Sequence, residues 1–281
     1  MIPTTCLSAS FILNDTIENS NNFHNKVLNK GTVVYEVIRV IDGSLLFYQQ
    51  HIDRFFDSME HSGLKLDLSK KTLALRLKLL VENNKLKEGN IRFQVDFTND
   101  NKATFSAWAN QYSYPQKELY QRGASLATME AHRVNPNIKV YNPNLLRKAL
   151  SHINNNEIYE VLYVNKNGLI TECSRSNIFF TLGNKITTPT LLSVLPGITR
   201  LKVIEIANDL NIDCIEENIN YKSLQSYDGA FITGTSPKVL PVCKIDEITF
   251  DPEYPTISLI MQGYEEMVIR DIESFSWSQF A

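Results

Sequence analysis

A lysine, a glutamate and a turn that opens a helix are spaced along this chain in a way that could hold an aldehyde cofactor. Lys139 lies in the segment Asn137–Asn142, and its amine could form a Schiff base with an aldehyde. Glu172 lies on a short strand pattern and could pair with a protonated ring nitrogen. Gly197-Ile198-Thr199 precedes a helical pattern, where backbone N–H groups and the helix dipole attract phosphate. These are the groups that pyridoxal phosphate requires.

Each feature also has an ordinary explanation when it is taken alone. Lys139 is one of many lysines, most capped helices bind nothing, and most glutamates are solvated. Gly234-Thr235-Ser236 follows a predicted strand and could offer two hydroxyls to the same phosphate, or be a plain turn. Arg54 lies off the apolar stripe of its predicted helix, which is typical of a surface arginine.

Composition and charge exclude several classes of protein. A net charge of −3, with no long run of either sign, argues against a nucleic-acid partner. The five histidines and four cysteines show no metal-ligand spacing, so no metal site is expected. Dinucleotide, P-loop, zinc-protease and esterase motifs are also missing from the sequence.

The sequence also predicts where the protein is found. The first residues lack the positive start and apolar core of a signal peptide. No apolar run reaches the roughly 18 residues that a membrane helix needs. With only four scattered cysteines, we expect a cytoplasmic protein without a membrane partner.

The patterns predict an α+β protein of two domains. A small domain is expected at 1–110, a linker at 111–117, and a larger domain carrying Lys139 at 118–281. The predicted strands are 32–40, 45–48, 91–97, 104–109, 124–128, 160–164, 169–172, 177–182, 186–188 and 230–233, with a turn at Asn99-Asp100-Asn101. The predicted helices are 51–63, 73–83, 145–154, 200–210 and 257–272, with a loop at 14–22.

Three local predictions bear on the site. Alternation in the first strand places Tyr35, Val37 and Arg39 on one face, opposite Glu36 and its apolar neighbours. Turn signals on both sides of Lys139 predict an extended segment. Thr199 is the predicted N-cap of the helix that follows it.

The order of these features resembles one family. Arg54, Lys139, Glu172, Gly197-Ile198-Thr199 and Gly234-Thr235-Ser236 occur in the order found in fold-type IV pyridoxal phosphate enzymes, the class IV aminotransferases. That family includes branched-chain aminotransferases, D-amino-acid aminotransferases and aminodeoxychorismate lyases. The matching motifs are the strand 31–39, His51-Ile52-Asp53-Arg54, Lys139-Val140-Tyr141-Asn142, Thr171-Glu172 through Asn177-Ile178-Phe179, and Leu195–Arg200.

The resemblance implies a role for each residue. Lys139 would bind the cofactor aldehyde and then move a proton between the substrate Cα and the cofactor, while Glu172 would keep the ring nitrogen protonated. Arg54, whose guanidinium can engage phosphate bidentately, would hold the phosphate together with Ile198, Thr199 and Thr235. The substrate pocket would contain Tyr35, Val37, Arg39, Arg92 and Ser236, with Trp108 as a further candidate. The resemblance also implies a site in the cleft between the two domains, and a homodimer.

Departures from the family patterns leave the reaction open. The Arg-x-His of the D-amino-acid enzymes is missing, since Phe97 and Asn99 stand there, and Lys238 replaces a common glutamate. Tyr35-Glu36-Val37 favours a transaminase acting on an amino acid and a 2-oxo acid. Val40-Ile41-Asp42-Gly43 and Thr171-Glu172-Cys173 favour the lyase. A homologue that has lost catalysis and serves as a binding protein is the third alternative.

Overall fold

The chain forms two compact units in a computed structural model that describes residues 5–27, 29–98, 102–156 and 158–280. The first unit comprises Met1–Ser113, Ile138–Tyr141 and Val268–Ala281, and the second comprises Tyr114–Asn137 and Asn142–Met267. The expected turn at 99–101 lies outside the described residues.

The first unit is built on an antiparallel sheet. Its helices are α1 (Phe23–Lys26), α2 (Tyr48–His61) and α3 (Lys70–Asn84), with 3-10 turns at Ser20–Asn22 and Trp277–Phe280. Its strands are β1 (Ser10–Leu13), β2 (Thr16–Asn19), β3 (Thr32–Ile41), β4 (Ser44–Leu45), β5 (Glu88–Phe97) and β6 (Ala103–Asn110). Among the described residues, these strands pair in the order β2-β1-β6-β5-β3-β4.

One face of this sheet is covered by α2 and α3. Alternating β-branched residues of β3 give it an apolar face, and both helices present apolar stripes that pack against it. Burying apolar surface between the sheet and these helices stabilises the unit by about 25 cal/mol for each Å² removed from water. The core contains Val34, Ile38, Val40, Ile52, Phe55, Met59, Leu73, Leu77, Leu80, Ile91, Phe93 and Val95.

The second unit is built on a mixed sheet. Its helices are α4 (Lys117–Arg122), α5 (Pro143–Asn156), α6 (Ile198–Asp209) and α7 (Pro255–Ser274, whose residues from Val268 onward group with the first unit), with a 3-10 turn at Tyr221–Ser226. Its strands are β7 (Ala124–Glu130), β8 (Glu160–Val164), β9 (Ile170–Cys173), β10 (Asn177–Thr181), β11 (Lys185–Thr188), β12 (Asp213–Glu216), β13 (Gly229–Gly234), β14 (Lys238–Ile245) and β15 (Ile248–Thr249). The strand order is β12-β11-β10-β13-β14-β7-β8-β9, with β15 paired to β14.

Parallel and antiparallel pairs are mixed in this second sheet. β7 runs parallel to β8 and β14, and β11 runs parallel to β12, whereas the remaining pairs are antiparallel. The strands β8, β9, β10 and β13 are buried almost throughout, as expected for strands covered on both faces of a sheet. No helix of the described residues combines the length and the apolar character that a membrane crossing requires.

The structure differs from the sequence prediction at several elements. β2 lies inside the expected loop 14–22, because Ile17 pairs with Ile12 in an antiparallel hairpin. The expected return strand 45–48 is shortened, since Phe47 adopts a left-handed conformation (φ 51°) and α2 begins at Tyr48. The sequence patterns predict no strand at β1, β12, β14 or β15.

The segment around Lys139 belongs to a different unit from the domain predicted for it. The two units part between Ser113 and Tyr114, within the expected linker, yet Ile138–Tyr141 belongs to the first unit. The reason is main-chain pairing, because Val140 forms an antiparallel bridge with Val34 of β3. Main-chain hydrogen bonds therefore decide the unit to which Lys139 belongs.

Candidate active site

Lys139 is fixed by its backbone beside β3. The amide of Tyr35 donates to the Lys139 carbonyl at 3.1 Å, and the amide of Tyr141 donates to the Val33 carbonyl at 2.8 Å. The Lys139 amide donates to the Ser58 hydroxyl at 3.2 Å. The Val140 amide donates to the Ile138 carbonyl at 3.0 Å and closes a three-residue turn centred on Lys139, so the expected extended segment is interrupted there. The three hydrogen bonds to β3 and Ser58 hold the lysine backbone in place.

The face of β3 that carries Tyr35 is the one expected from alternation. Tyr35, Val37 and Arg39 are each half-buried, whereas Glu36 is buried on the opposite face. Register places Arg92 of β5 beside Val37, and Trp108 of β6 beside Arg92. These side chains therefore share one face of the sheet, where the sequence placed the candidate pocket residues.

Arg92 lies in a cage of aromatic rings on this face. Its Cζ lies 4.4 Å from the ring centroid of Tyr35, 4.9 Å from that of Tyr141 and 5.5 Å from that of Trp108. Its Nε donates to Gln94 Oε1 at 3.0 Å. The side chain is 8% exposed, and Nη2 is buried without a hydrogen-bond partner among the described residues.

The charge of Arg92 is therefore costly to keep in place. Burial lowers the pKa of the Arg92 guanidinium, and Tyr35 and Tyr141 act in the opposite direction. An arginine side chain stays protonated in proteins, so Arg92 remains a cation. A buried cation with an unused donor is the environment in which an anionic ligand is bound.

The amine of Lys139 reaches the same cage. Its Nζ lies 5.0 Å from the ring centroid of Tyr35, on which Arg92 also packs. The Tyr35 and Tyr141 rings meet edge to face, with centroids 6.1 Å apart and an interplanar angle of 86°. An amine and a guanidinium thus share one aromatic side chain.

Arg54 has a different partner on the opposite face of the sheet. Its Nε donates to Glu36 Oε2 at 2.8 Å and its Nη2 to Glu36 Oε1 at 2.7 Å. His51 Nδ1 lies 3.4 Å from the same carboxylate. The bidentate contact that the sequence assigned to phosphate is made with Glu36 in this structure.

Glu36 is ionised despite its burial. Burial by itself raises the pKa of Glu36, but Arg54 and then His51 outweigh it and hold that pKa well below its usual range. The pKa of His51 is lowered, because burial outweighs the attraction of Glu36. Glu36 and Arg54 therefore form a buried ion pair that orients the guanidinium.

Glu172 is buried in the second unit. It is 4% exposed, which excludes the ordinary solvated glutamate as its explanation. Its Oε2 accepts the Leu195 amide at 3.1 Å, and its Oε1 accepts Arg133 Nη1 at 3.4 Å. A carboxyl group held by a main-chain donor and a cation is fixed in direction.

The helix α6 begins two residues earlier than the sequence predicted. Its N-cap is Gly197 and Thr199 lies buried within the first turn, so the prediction of Thr199 as N-cap is wrong. The cause is Asn177, which donates to the Leu195 carbonyl at 3.0 Å and closes the space beside Gly197. A Cβ at Gly197 would lie 2.0 Å from Asn177 Oδ1, so only glycine fits.

This helix start suits a phosphate. No side chain of the described residues caps it, so its first amides can serve an external acceptor. Thr235 and Ser236 follow β13 and are half-buried. In the same sheet Thr233 pairs in register with Asn177, which contacts Gly197, and the Thr233 hydroxyl is buried without a partner among the described residues.

Three residues of these clusters were not among the sequence candidates. Glu36 could have been found, because a charged residue on an otherwise apolar strand face requires a buried partner. Tyr141 and Arg133 gave no such signal, since each is brought into place by a segment distant in sequence.

Comparison with known proteins identifies the family. The family model for class IV amino-transferases matches residues 33–245. This chain belongs to the class IV aminotransferase family. The resemblance inferred from the motifs is confirmed, and with it the assignment of the chain to a family of pyridoxal-phosphate-dependent enzymes.

Individual relatives span several activities. The D-alanine aminotransferase of Bacillus licheniformis is 30% identical over 240 residues, covering 80% of this chain and 83% of that protein. A branched-chain amino acid aminotransferase from T.th., solved with pyridoxamine 5'-phosphate, is 22% identical, with a TM-score of 0.80 and coverage of 95% and 96%. A putative 4-amino-4-deoxychorismate lyase from Legionella pneumophila is 21% identical, with a TM-score of 0.75 and coverage of 84% and 91%. The α+β, fold-type IV prediction is confirmed.

Proposed function

We propose that this enzyme transfers an amino group between an amino acid and a 2-oxo acid, using pyridoxal phosphate held by Lys139. The observation that carries the proposal is that the Lys139 amine and the buried Arg92 guanidinium both lie against the Tyr35 ring, at 5.0 Å and 4.4 Å from its centroid. An amine nucleophile beside an anion anchor is the arrangement that an amino acid substrate requires. Family membership supports amino transfer as the reaction class.

The residues present fit the cofactor. Pyridoxal phosphate, when bound, supplies an aldehyde that condenses with amines and a ring that withdraws electrons from the substrate Cα. The carboxyl group of Glu172 is fixed by Leu195 and Arg133, so it can accept a hydrogen bond from a protonated pyridine nitrogen. The start of α6 offers amides to the phosphate.

In this proposal Lys139 has two tasks. Its amine would hold the aldehyde group of the cofactor, and the same amine would serve as the base that carries a proton from and to the substrate Cα. Its backbone is fixed by hydrogen bonds to β3 and Ser58, so the amine returns to the same place in each half-reaction.

The phosphate contacts of the proposal come from both units. Ile198 and Thr199 would donate their amides, Thr235 its hydroxyl and Arg54 its guanidinium. Because Glu36 already engages Nε and Nη2 of Arg54, we propose that Arg54 contributes through the positive charge of its guanidinium rather than as a bidentate donor.

Arg92 is the proposed anchor for a substrate carboxylate. A carboxylate would accept the unused Nη2 donor and neutralise a buried charge in one contact. Tyr35, Val37 and Arg39 would line the pocket from β3, and Ser236 would border it from the second unit. Neither lysine nor histidine offers the planar pair of donors that a guanidinium presents, which makes arginine suited to this task.

The lyase that releases pyruvate from aminodeoxychorismate is the second candidate. Thr171-Glu172-Cys173 favours it, as does the fold shared with the Legionella pneumophila protein. The Asp42-Gly43 match carries little weight, because these residues adopt φ values of 50° and 78° in the β3–β4 hairpin. Turn geometry alone explains an Asp-Gly pair there.

The visible absorption spectrum of the purified protein tests the proposal. We expect a yellow cofactor band that converts to the pyridoxamine form when one amino acid of a panel is added. The panel includes D-alanine and the L-branched-chain amino acids, because the relatives named above are D-alanine and branched-chain amino acid aminotransferases. Pyruvate release from aminodeoxychorismate, with a band unmoved by amino acids, would establish the lyase instead.

Absence of any band after addition of pyridoxal phosphate would overturn the cofactor assignment and favour the non-catalytic alternative. The proposal also includes a homodimeric, cytoplasmic enzyme, as in the family expectation. Sedimentation equilibrium of the purified protein and fractionation of cells measure these two properties.

A further inference from the structure

Tyr141 is placed to control how Arg92 is presented. It lies two residues after Lys139, and its ring centroid is 4.9 Å from Arg92 Cζ. Its ring also meets Tyr35 edge to face. No other residue of the lysine segment contacts both the guanidinium and the tyrosine of β3 in the contacts that the described residues show.

The aromatic cage holds the guanidinium without consuming its donors. A cation over an aromatic face is stabilised by about 0.5–2 kcal/mol, through the ring quadrupole rather than through N–H groups. A carboxylate partner would instead take two donors, as Glu36 does with Arg54. The cage therefore retains Arg92 as a buried cation and leaves Nη2 for a ligand.

The position of the Tyr141 ring is itself fixed. The Tyr141 amide donates to the Val33 carbonyl at 2.8 Å, and Val140 bridges Val34. Arg92 enters the cage from β5, which pairs with β3 through Val37. The same short segment thus fixes both the backbone of Lys139 and one wall of the Arg92 cage.

We propose that Tyr141 is a positioning residue that holds the Arg92 guanidinium for the substrate carboxylate, and so sets the preference of this enzyme for carboxylate-bearing ligands. The proposal rests on the proposed function, in which Arg92 anchors the carboxylate. It concerns the ring of Tyr141, over which the guanidinium lies.

Selective binding of a small carboxylate tests the proposal. Propionate and propionamide have nearly the same shape and differ in charge, so the ratio of their dissociation constants reports carboxylate preference alone. Both are titrated into the pyridoxal phosphate-loaded protein, and tryptophan fluorescence is recorded because Trp108 lies 5.5 Å from Arg92 Cζ. Calorimetric titration provides a second readout that does not depend on fluorescence or activity.

We expect the wild type to prefer propionate, and Tyr141→Phe to keep that preference within about twofold, because the ring remains. Tyr141→Leu should reduce the preference by about fivefold, and Arg92→Met should abolish it. Tyr141→Met serves as a second aliphatic variant if Tyr141→Leu does not fold. Thermal unfolding shows whether each variant retains the fold.

The outcomes distinguish the anchor role of Arg92 from the positioning role of Tyr141. If the aliphatic variants keep the wild-type preference while Arg92→Met loses it, Tyr141 has no positioning role and the anchor role of Arg92 stands. If the wild type and Arg92→Met show the same preference, the anchor role of Arg92 fails, and the positioning role of Tyr141 fails with it. Loss of preference in Tyr141→Phe would contradict a role of the ring alone.

Discussion

Two buried arginines lie on opposite faces of the six-stranded sheet and have contrasting partners. Arg54 projects from α2 toward Glu36, which accepts two of its hydrogen bonds. Arg92 projects from β5 into three aromatic rings, with one hydrogen bond to Gln94 and a buried Nη2 that has no partner among the described residues. Both side chains are 8% exposed, so burial does not explain the difference.

The difference separates a structural use of arginine from a ligand-binding use. A carboxylate neutralises the cation and fixes its plane, but it occupies the donors that a ligand would need. Aromatic rings stabilise the cation and leave those donors unused. We therefore expect the Arg54 pair to act mainly on stability and the Arg92 cage mainly on ligand binding.

Removing Glu36 should have the largest effect on stability. Glu36→Ala leaves the Arg54 charge buried and uncompensated, and we expect a loss of about 3–5 kcal/mol in the free energy of unfolding. Urea denaturation measures it. The matched control is Glu36→Leu with Arg54→Met, which removes both charges and should recover most of the loss. An unchanged midpoint in Glu36→Ala would refute the ion-pair account.

Acid should weaken the same pair. The pKa of Glu36 is held below its unfolded value, so its contribution to stability is complete above about pH 5 and is lost as pH falls further. Denaturation curves of the wild type and Glu36→Gln between about pH 5 and pH 3 should converge on acidification. Parallel curves would show that Glu36 is not ionised in the folded protein.

Removing Arg92 should affect ligand binding and leave stability almost unchanged. Arg92→Met keeps the apolar stem within the rings and removes a charge that no carboxylate of the described residues compensates. We expect propionate affinity to fall by about 10- to 100-fold, as the loss of one charge-assisted contact predicts, with unfolding free energy within about 1 kcal/mol of the wild type. A large stability loss with unchanged affinity would reverse the proposed roles of the two arginines.

The smallest effect is expected at Gln94. Gln94→Met removes the acceptor of Arg92 Nε but leaves the aromatic cage intact. Gln94 would act on the ligand only by orienting Arg92, so propionate affinity should fall by about fivefold or less, which is below the effect of removing the guanidinium. Isothermal titration calorimetry measures the change. A loss as large as that of Arg92→Met would show that Gln94, rather than the rings, holds the guanidinium.

Sequence patterns predicted the parts of the site that depend on local rules. Alternation placed Tyr35, Val37 and Arg39 on one face of β3. The assignment of the chain to its family needed only the order of the motifs. These features depend on residues close in sequence or on motif order, and a single chain displays both.

Features that depend on distant contacts could not be predicted in the same way. Thr199 looked like an N-cap, but Asn177 fixes Gly197 in that role from another strand. Arg54 was expected to bind phosphate bidentately, whereas its Nε and Nη2 donate to Glu36. Lys139 was assigned to the larger domain, whereas bridging to β3 places it in the first unit.

The most direct test of the account is the identity of the lysine that binds the cofactor. The protein is loaded with pyridoxal phosphate, reduced with borohydride, digested, and the peptides are examined by mass spectrometry. We predict a phosphopyridoxyl group on Lys139, and its absence in Lys139→Ala, a variant whose folding is checked by circular dichroism. A modified lysine elsewhere in the wild type, or an undiminished adduct in Lys139→Ala, would contradict the central claim.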